Sequence, residues 1–437
     1  MASLEKTSFE KTSFEKTSTA SHLTSSIRLP QAIALYIGSV LGSGILIVPG
    51  LAAHIAGPAS LLSWGLMTML VLPMALVMGL LSARYPDAGG VSSFVSRAYG
   101  TKAGTLVGWF FLMSVPIGAP VAALTGAGYM TAAFGLGDGA RIVIAALMLA
   151  VSLFINVFGM KLAGSVQIVV VSVIVLVLIL AISGSFPHME ARHFTPFMPE
   201  GWISVGQSAA ILFWCFIGWE AVSHLSEEFV DPKRAAVQGV TVAAIIVGVL
   251  YFLTALATVG THSYGGSGSD VSLLLVIEKL LGPAGAVIAG LTGMFICTAT
   301  VISYTGASSR LAYALAREGK APAWMGKMSS RFQTPVGGLG FLAGCFVLVL
   351  VLYGTGAVSL TTLITLPNAT FILTYLGGCA AGIRLLKGQR WGRTVSWLSF
   401  ILTAAVFPFV GWAILYPLVI CGVYFLVSIG RKNKAQA

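Results

Sequence analysis

The feature that most constrains this chain is a series of twelve long apolar segments. They fall at about 30–55, 59–83, 103–133, 140–160, 162–184, 206–228, 236–260, 278–303, 336–354, 359–384, 394–411 and 413–430. An α-helix needs ~20 mostly apolar residues to cross a bilayer, and these segments are about that long. One alone could be a buried helix of a soluble protein, but the whole series predicts an all-α polytopic membrane protein with 12 transmembrane helices.

The composition agrees with a lipid environment. Only 9% of the residues are charged, whereas a soluble domain carries ~25%. Five cysteines lie inside apolar runs without paired spacing, so we expect neither a disulfide framework nor a metal site. The net charge of +11 would suggest nucleic acid as a partner of a soluble protein, but the positions of the charges explain it better.

The lysines and arginines divide unequally between the two faces of the predicted bundle. With a cytoplasmic N-terminus, 22 of the 25 lie inside and only Arg141, Arg192 and Lys279 lie outside. Cytoplasmic loops of membrane proteins carry this excess. We therefore expect a multi-pass protein of the inner (cytoplasmic) membrane with both termini in the cytoplasm.

The N-terminal segment differs from the rest of the chain. Residues 1–26 repeat the unit Glu-Lys-Thr-Ser-Phe with a period of five, which fits neither a helix nor a strand, and they contain no apolar core. We interpret this segment as a disordered cytoplasmic tail, for which a regulatory or binding role stays open. Residues 431–437 form a second cytoplasmic tail.

Small residues interrupt the first span. Gly38, Gly42, Ser43 and Gly44 cluster in its middle, and glycine permits non-helical dihedrals. A break there would present the N–H groups of Ser43, Gly44 and Ile45 at the start of a half-helix, where the dipole favours a carboxylate. Close helix packing through small residues is the alternative.

The sixth span contains a second candidate break. Gly218 lies between Ile217 and Trp219, and Glu220 follows as the one acidic residue well inside a span. Buried acids usually face a cavity, although a structural role is the alternative here. Free carbonyls near Ile217, together with those near Val40, could bind a substrate ammonium group.

Two interrupted helices five spans apart suggest an inverted repeat. Residues 27–184 would form the first five-helix repeat, 185–205 an extracytoplasmic loop and 206–384 the second repeat. Helices 11 and 12 would follow over 385–430. Spacing and breaks support this repeat, since the two halves show no letter-by-letter similarity.

At these residues the chain resembles the amino acid–polyamine–organocation transporters, which have a LeuT-like fold. The motifs are Gly42-Ser-Gly-Ile45, Phe216-Ile-Gly-Trp-Glu220, Glu228-Phe-Val-Asp-Pro-Lys-Arg234, Pro86-Asp-Ala-Gly-Gly90 with Tyr99-Gly100, Arg317-Glu-Gly-Lys-Ala-Pro322 and Thr334-Pro335. Stretches 88–96, 115–121, 213–230, 366–375 and 384–388 are most similar to the bacterial methionine and branched-chain amino acid exporters.

The resemblance implies roles for individual residues. Ser43 and Gly44 would bind the substrate carboxylate through their amides, and the carbonyls of Val40, Trp214 and Ile217 would take the ammonium group. Trp214 would also cover the substrate as a gate, with Glu220 beside it as a pH-coupling acid. Tyr304 would border the pocket. Trp214 and Tyr304 could instead be packing aromatics.

The coupling ion stays open. Some relatives carry a lysine in the middle of the fifth span, where this chain has Ile174. A proton is the favoured coupling ion, and sodium is an alternative because Thr300 and Ser303 could supply oxygens. His224, one helical turn from Glu220, could couple protons or simply pack. We expect no cofactor, and a monomer or weak homodimer in the bilayer.

These inferences predict a secondary active transporter of neutral apolar amino acids (methionine, leucine, isoleucine or valine) that works by alternating access as an exporter or proton-linked antiporter. An uptake permease or exchanger, or a polyamine or thio-sugar permease, is the alternative within this class. A channel would need a continuous polar file, and an enzyme would need a catalytic set within the spans. The sequence shows neither.

Overall fold

The computed structural model describes residues 28–85, 90–158, 163–220, 230–332 and 334–436. This part of the chain is helical and contains no β-strand. Helices dominate because a lipid-embedded segment can satisfy its backbone only within itself or in a closed barrel.

Fourteen α-helices follow one another along the described residues. They are α1 (Leu29–Val40), α2 (Gly44–Ala56), α3 (Ser60–Arg84), α4 (Gly90–Tyr99), α5 (Thr101–Phe134), α6 (Asp138–Phe158), α7 (Ala163–Ser185), α8 (Gly201–Leu212), α9 (Pro232–Gly260), α10 (Ser272–Arg317), α11 (Val336–Gly354), α12 (Leu360–Leu385), α13 (Arg390–Val406) and α14 (Leu415–Gln436). Short 3₁₀ segments at Phe186–His188, Ala191–Phe194, Phe213–Phe216 and Gly266–Val271 connect several of them.

Within the described residues, nine helical stretches are long and apolar enough to cross a membrane. Three of them, Gly44–Arg84, Ser269–Arg317 and Arg390–Phe425, have 41, 49 and 36 residues, well beyond the length of one crossing. Gly282 divides α10 with a φ of 64°, ahead of Pro283. The chain is therefore a multi-pass membrane protein, and the count of twelve spans stays a prediction.

Helices α5 and α10 make the most extensive contact between helices in the described part of the chain. Helix α3 packs along α9, and α1 packs on α9 as well. The largest fully buried side chains include Trp64, Phe216 and Tyr251. Their ring centroids lie 5.2–6.1 Å apart, so they form one aromatic cluster beside the two helix breaks.

Candidate functional site

The first interruption, residues 41–43, separates α1 from α2. The N–H of Gly42 turns back to the carbonyl of Val40 at 2.9 Å, and the N–H of Leu46 reaches the carbonyl of Ser43 at 3.2 Å. The Ser43 side chain does not cap α2. Because the first N–H groups of a helix have no carbonyl partner within it, those of Gly44 and Ile45 can bind an anion here.

The second interruption, residues 213–220, follows α8. The chain tightens into a 3₁₀ turn over Phe213–Phe216 and becomes extended at Ile217. Gly218 then has a φ of 130°, which favours glycine. A β-carbon at Gly218 would lie 2.2 Å from the carbonyl oxygen of Ser39, so glycine is also required by the close approach of α1.

The two interruptions face each other at the level of their backbones. A β-carbon at Gly44 would lie 3.0 Å from the Cα and Sγ atoms of Cys215. The hydroxyl of Tyr251, on α9, lies 2.9 Å from the carbonyl oxygen of Val40 and 3.0 Å from that of Cys215. The structure thus brings the predicted residues of the first and sixth spans into one region, with Tyr251 joining the two segments.

Glu220 closes the second interruption. Its side chain is 2% exposed. The carboxylate accepts a hydrogen bond from the N–H of Gly218 at 3.0 Å and another from the hydroxyl of Tyr375 on α12. The N–H of Gly218 also lies 3.2 Å from the Tyr375 oxygen. The acid therefore has a structural task in this conformation, whatever its part in ion coupling.

Trp214 lies over the first interruption. The side chain is half-buried, and β-carbons at Gly44 and Gly118 would lie 3.3 Å and 2.9 Å from its ring atoms. Gly44 and Gly118 thus make room for the indole between α2 and α5. This placement is compatible with the predicted gate, although it is equally the position of a packed aromatic.

Tyr304 and Thr300, on α10, lie near the two interruptions. Tyr304 is half-buried and lies within electrostatic range of Glu220. A β-carbon at Gly42 would lie 3.3 Å from Thr300 Oγ1, so this hydroxyl faces the first interruption. Ile174, at the position where some relatives carry a lysine, is buried on α7.

The carbonyl of Val40 is already engaged. It accepts from the Tyr251 hydroxyl and from the N–H of Gly42, each at 2.9 Å. A carbonyl oxygen has two lone pairs, so a substrate ammonium group would have to displace one of these donors. The predicted role of Val40 therefore requires a rearrangement of the first interruption.

Sequence reasoning missed three side chains that stabilise the breaks. Tyr251 and Tyr375 are described above, and Asn368 donates from Nδ2 to the carbonyl of Ala210 at 3.1 Å, near the end of α8. A phenol or amide inside an apolar span needs a hydrogen-bond partner. A polar side chain within an apolar span therefore predicts a buried hydrogen bond, but the sequence does not identify the backbone group that forms it.

Some predicted features lie outside the described residues. These are the tail 1–26, His224, Glu228 and most of the Pro86–Gly90 motif. In the part of the chain that the structure does describe, no group of three or more His, Cys, Asp or Glu side chains could hold a metal ion.

Comparison with known proteins covers nearly the whole chain. The family model described as "Amino acid permease" matches residues 27–434. An uncharacterized amino acid permease, YecA of Bacillus subtilis (strain 168), is 38% identical over 94% of this chain and 98% of its own length. The L-methionine/branched-chain amino acid exporter YjeH of Escherichia coli (strain K12) is 32% identical over the same shares. The branched-chain amino acid permease BcaP of B. subtilis is 25% identical over 69% of each chain. These matches confirm the resemblance predicted from the motifs.

Proposed function

Because the chain belongs to the amino acid permease family, we propose that it is a secondary active transporter of neutral apolar amino acids (methionine, leucine, isoleucine or valine). The observation that carries this proposal is the meeting of two interrupted helices, with the start of α2 facing Cys215 and Trp214. A zwitterion needs groups of opposite polarity close together, and two facing breaks provide N–H groups and carbonyls within one region.

The substrate carboxylate binds at the first interruption. Its ligands are the N–H groups of Ser43, Gly44 and Ile45, and the half-helix dipole of α2 favours the negative charge. The carbonyls of Trp214 and Ile217 take the ammonium group, joined by Val40 when Tyr251 releases it. Trp214 and Tyr304 border the substrate.

A neutral side chain suits this region best. Among the described residues, Glu220 is the only acidic or basic side chain that is buried, and Gly218 and Tyr375 already bind it. A charged substrate side chain would need a partner of its own, because an unpaired buried charge is costly. One methylene group discriminates by only ~1–3 kcal/mol, so several apolar amino acids should be accepted.

We propose twelve spans, of which the first ten form two inverted five-helix repeats, and the helix contacts support this arrangement. In this numbering α1 and α2 form span 1, and α8 begins span 6. Each span of the first repeat corresponds to the span five later in the second repeat, so a contact in one half should have a counterpart after the two halves are exchanged. The contact of α1 with α9 becomes that of α8 with α3, and the contact of α5 with α12 becomes that of α10 with α7. This correspondence supports a pseudo-two-fold axis and alternating access around the breaks.

Export is the direction that we propose, with a proton as the coupling ion and both termini in the cytoplasm. The description of YjeH as an exporter supports the direction, and the buried Glu220 supports the proton. Uptake is the alternative direction, and the description of BcaP as a permease is compatible with either direction. The hydroxyl of Thr300 beside Gly42 keeps sodium as the second candidate ion.

Counterflow tests the proposal without assuming a direction or an ion. Proteoliposomes are loaded with unlabelled methionine or leucine, and labelled amino acid is added outside without an ion gradient. We expect transient accumulation that apolar amino acids inhibit. Failure to accumulate any of the twenty amino acids, with protein shown to be folded, would overturn the amino acid assignment and direct the search to polyamines or thio-sugars.

A further inference from the structure

One cavity is lined by residues that belong to neither interruption. It has a volume of about 520 Å³ and opens where α7 and α9 end, which is the outer face in the proposed orientation. Arg192, His193, His262 and Lys279 line it together with Glu190. Nothing in the proposed transport mechanism uses these side chains.

Two of the histidines that line this cavity stack on each other. The rings of His193 and His262 stack with centroids 5.2 Å apart. Nδ1 of His193 lies 2.6 Å from the carbonyl oxygen of Gly260, which fixes the ring and leaves Nε2 for another partner. His262 has a φ of 48°, unusual for a residue other than glycine. Such strain costs about 1–3 kcal/mol and concentrates at functional sites.

Basic side chains are concentrated around the cavity. Lys279 donates to the carbonyl of Thr261, next to His262. Partial burial, His193 and Lys279 all hold the pKa of the His262 imidazole below its usual range. His188, Glu190, Arg192 and Tyr264 are the other titratable groups around it. An anion would relieve this repulsion, because an opposite charge within ~4–6 Å favours the charged imidazole.

The Glu190 carboxylate already interacts with the basic side chains of this cavity. Glu190 pairs with Arg192 at 2.5 Å, and its charge also acts on Lys279. Both side chains of the pair are largely exposed, so the pair contributes little stability and can be exchanged for a ligand. A metal ion does not fit, since the imidazoles stack instead of converging on a point.

We propose that this cavity is a second binding site, which takes the carboxylate of a small organic acid or amino acid between Lys279, Arg192 and the two stacked histidines. Glu190 competes for the same cations. The site is distinct from the proposed transport site because it needs no ammonium group on its ligand. Binding strengthens as the pH falls, when the His262 imidazole gains charge.

Histidine modification tests this site directly. Full-length protein in lipid nanodiscs is treated with diethyl pyrocarbonate at pH 6, and the modification of His262 and His193 is measured by peptide mass spectrometry. The probe is 4-methylpentanoate, which is leucine without its ammonium group. Controls are 4-methylpentanamide, sodium chloride at equal ionic strength and His54, which lies in the last turn of α2 and outside the cavity, as an internal reference.

We expect 4-methylpentanoate to slow modification of His262 about threefold to tenfold, because a rise of one pKa unit lowers the neutral fraction by up to tenfold. Lys279→Gln should abolish this protection. In the Glu190→Gln variant the same protection should require a lower concentration of 4-methylpentanoate. Equal protection by the amide or chloride, equal protection of His54, or no protection would each overturn the site. Because the readout is chemical protection, failure of transport would leave this result interpretable.

Discussion

The two helix interruptions differ in how their backbones are satisfied. In the second, the N–H of Gly218 is bound by Glu220 and lies close to Tyr375, two side chains of the protein itself. In the first, the start of α2 has no side-chain cap. Side chains of the protein thus satisfy the second interruption, whereas we propose that the carboxylate of the substrate completes the first. Changes at the second should therefore affect folding, and changes at the first should affect binding.

The largest effect should come from Gly218→Ala. The alanine would meet both an unfavourable φ and the Ser39 carbonyl, 2.2 Å from its β-carbon. The backbone alone costs about 1–3 kcal/mol, and the clash adds to it. We expect loss of monodisperse protein in fluorescence-detected size-exclusion chromatography. The control is Gly356→Ala, where φ is 73° but no atom lies within 4 Å. Equal behaviour of the two variants would show that the close approach of the Ser39 carbonyl does not require glycine at position 218.

The next effect should come from Gly44→Val, which changes the first interruption. Its β-carbon would lie 3.0 Å from Cys215 and its branches would occupy the carboxylate position. Losing hydrogen bonds to a charged group costs about 1.5–3 kcal/mol each. We expect transport to fall by at least about tenfold with normal insertion and chromatography. Gly65→Val, with no atom within 4 Å, is the matched control. Normal transport by Gly44→Val would show that the carboxylate site is misplaced.

The Glu220→Gln variant tests the charge of this side chain separately from the hydrogen bonds that it accepts. The amide oxygen can still accept from Gly218 and Tyr375, so the fold should survive, while the titratable group is lost. We expect normal chromatography and a flattened pH dependence of transport. Glu220→Leu should lose both properties because Gly218 then lacks its carboxylate partner. An unchanged pH profile in the glutamine variant would leave Glu220 with a structural role alone.

The smallest effect should come from Tyr251→Phe, which removes the link between the interruptions. A buried hydrogen bond contributes about 0.5–1.5 kcal/mol, and the Val40 carbonyl keeps its bond from Gly42. We expect a modest fall in thermal stability and a change in apparent substrate affinity, measured by a thermal-shift assay and by counterflow. An unchanged affinity would mean that Val40 and Cys215 need no release during transport.

The sequence predicted the helical membrane fold and the position of both breaks because glycine clusters and apolar length are local signals. Gly42 to Gly44 and Gly218 lie where α1 and the 3₁₀ turn after α8 end. The cap on Gly218 was not predictable, since Tyr375 is 157 residues away and only packing brings it there. The engagement of the Val40 carbonyl by Tyr251, across 211 residues, was missed for the same reason.

The most direct test of the account is competition in methionine counterflow by analogues that lack one charged group. L-leucine should inhibit, whereas L-methioninol, which has no carboxylate, and 4-methylpentanoate, which has no ammonium group, should inhibit at least about tenfold less well. That result would show that the substrate must carry both charged groups, as binding between the two interruptions requires. Inhibition by methioninol as strong as that by leucine would contradict the central claim.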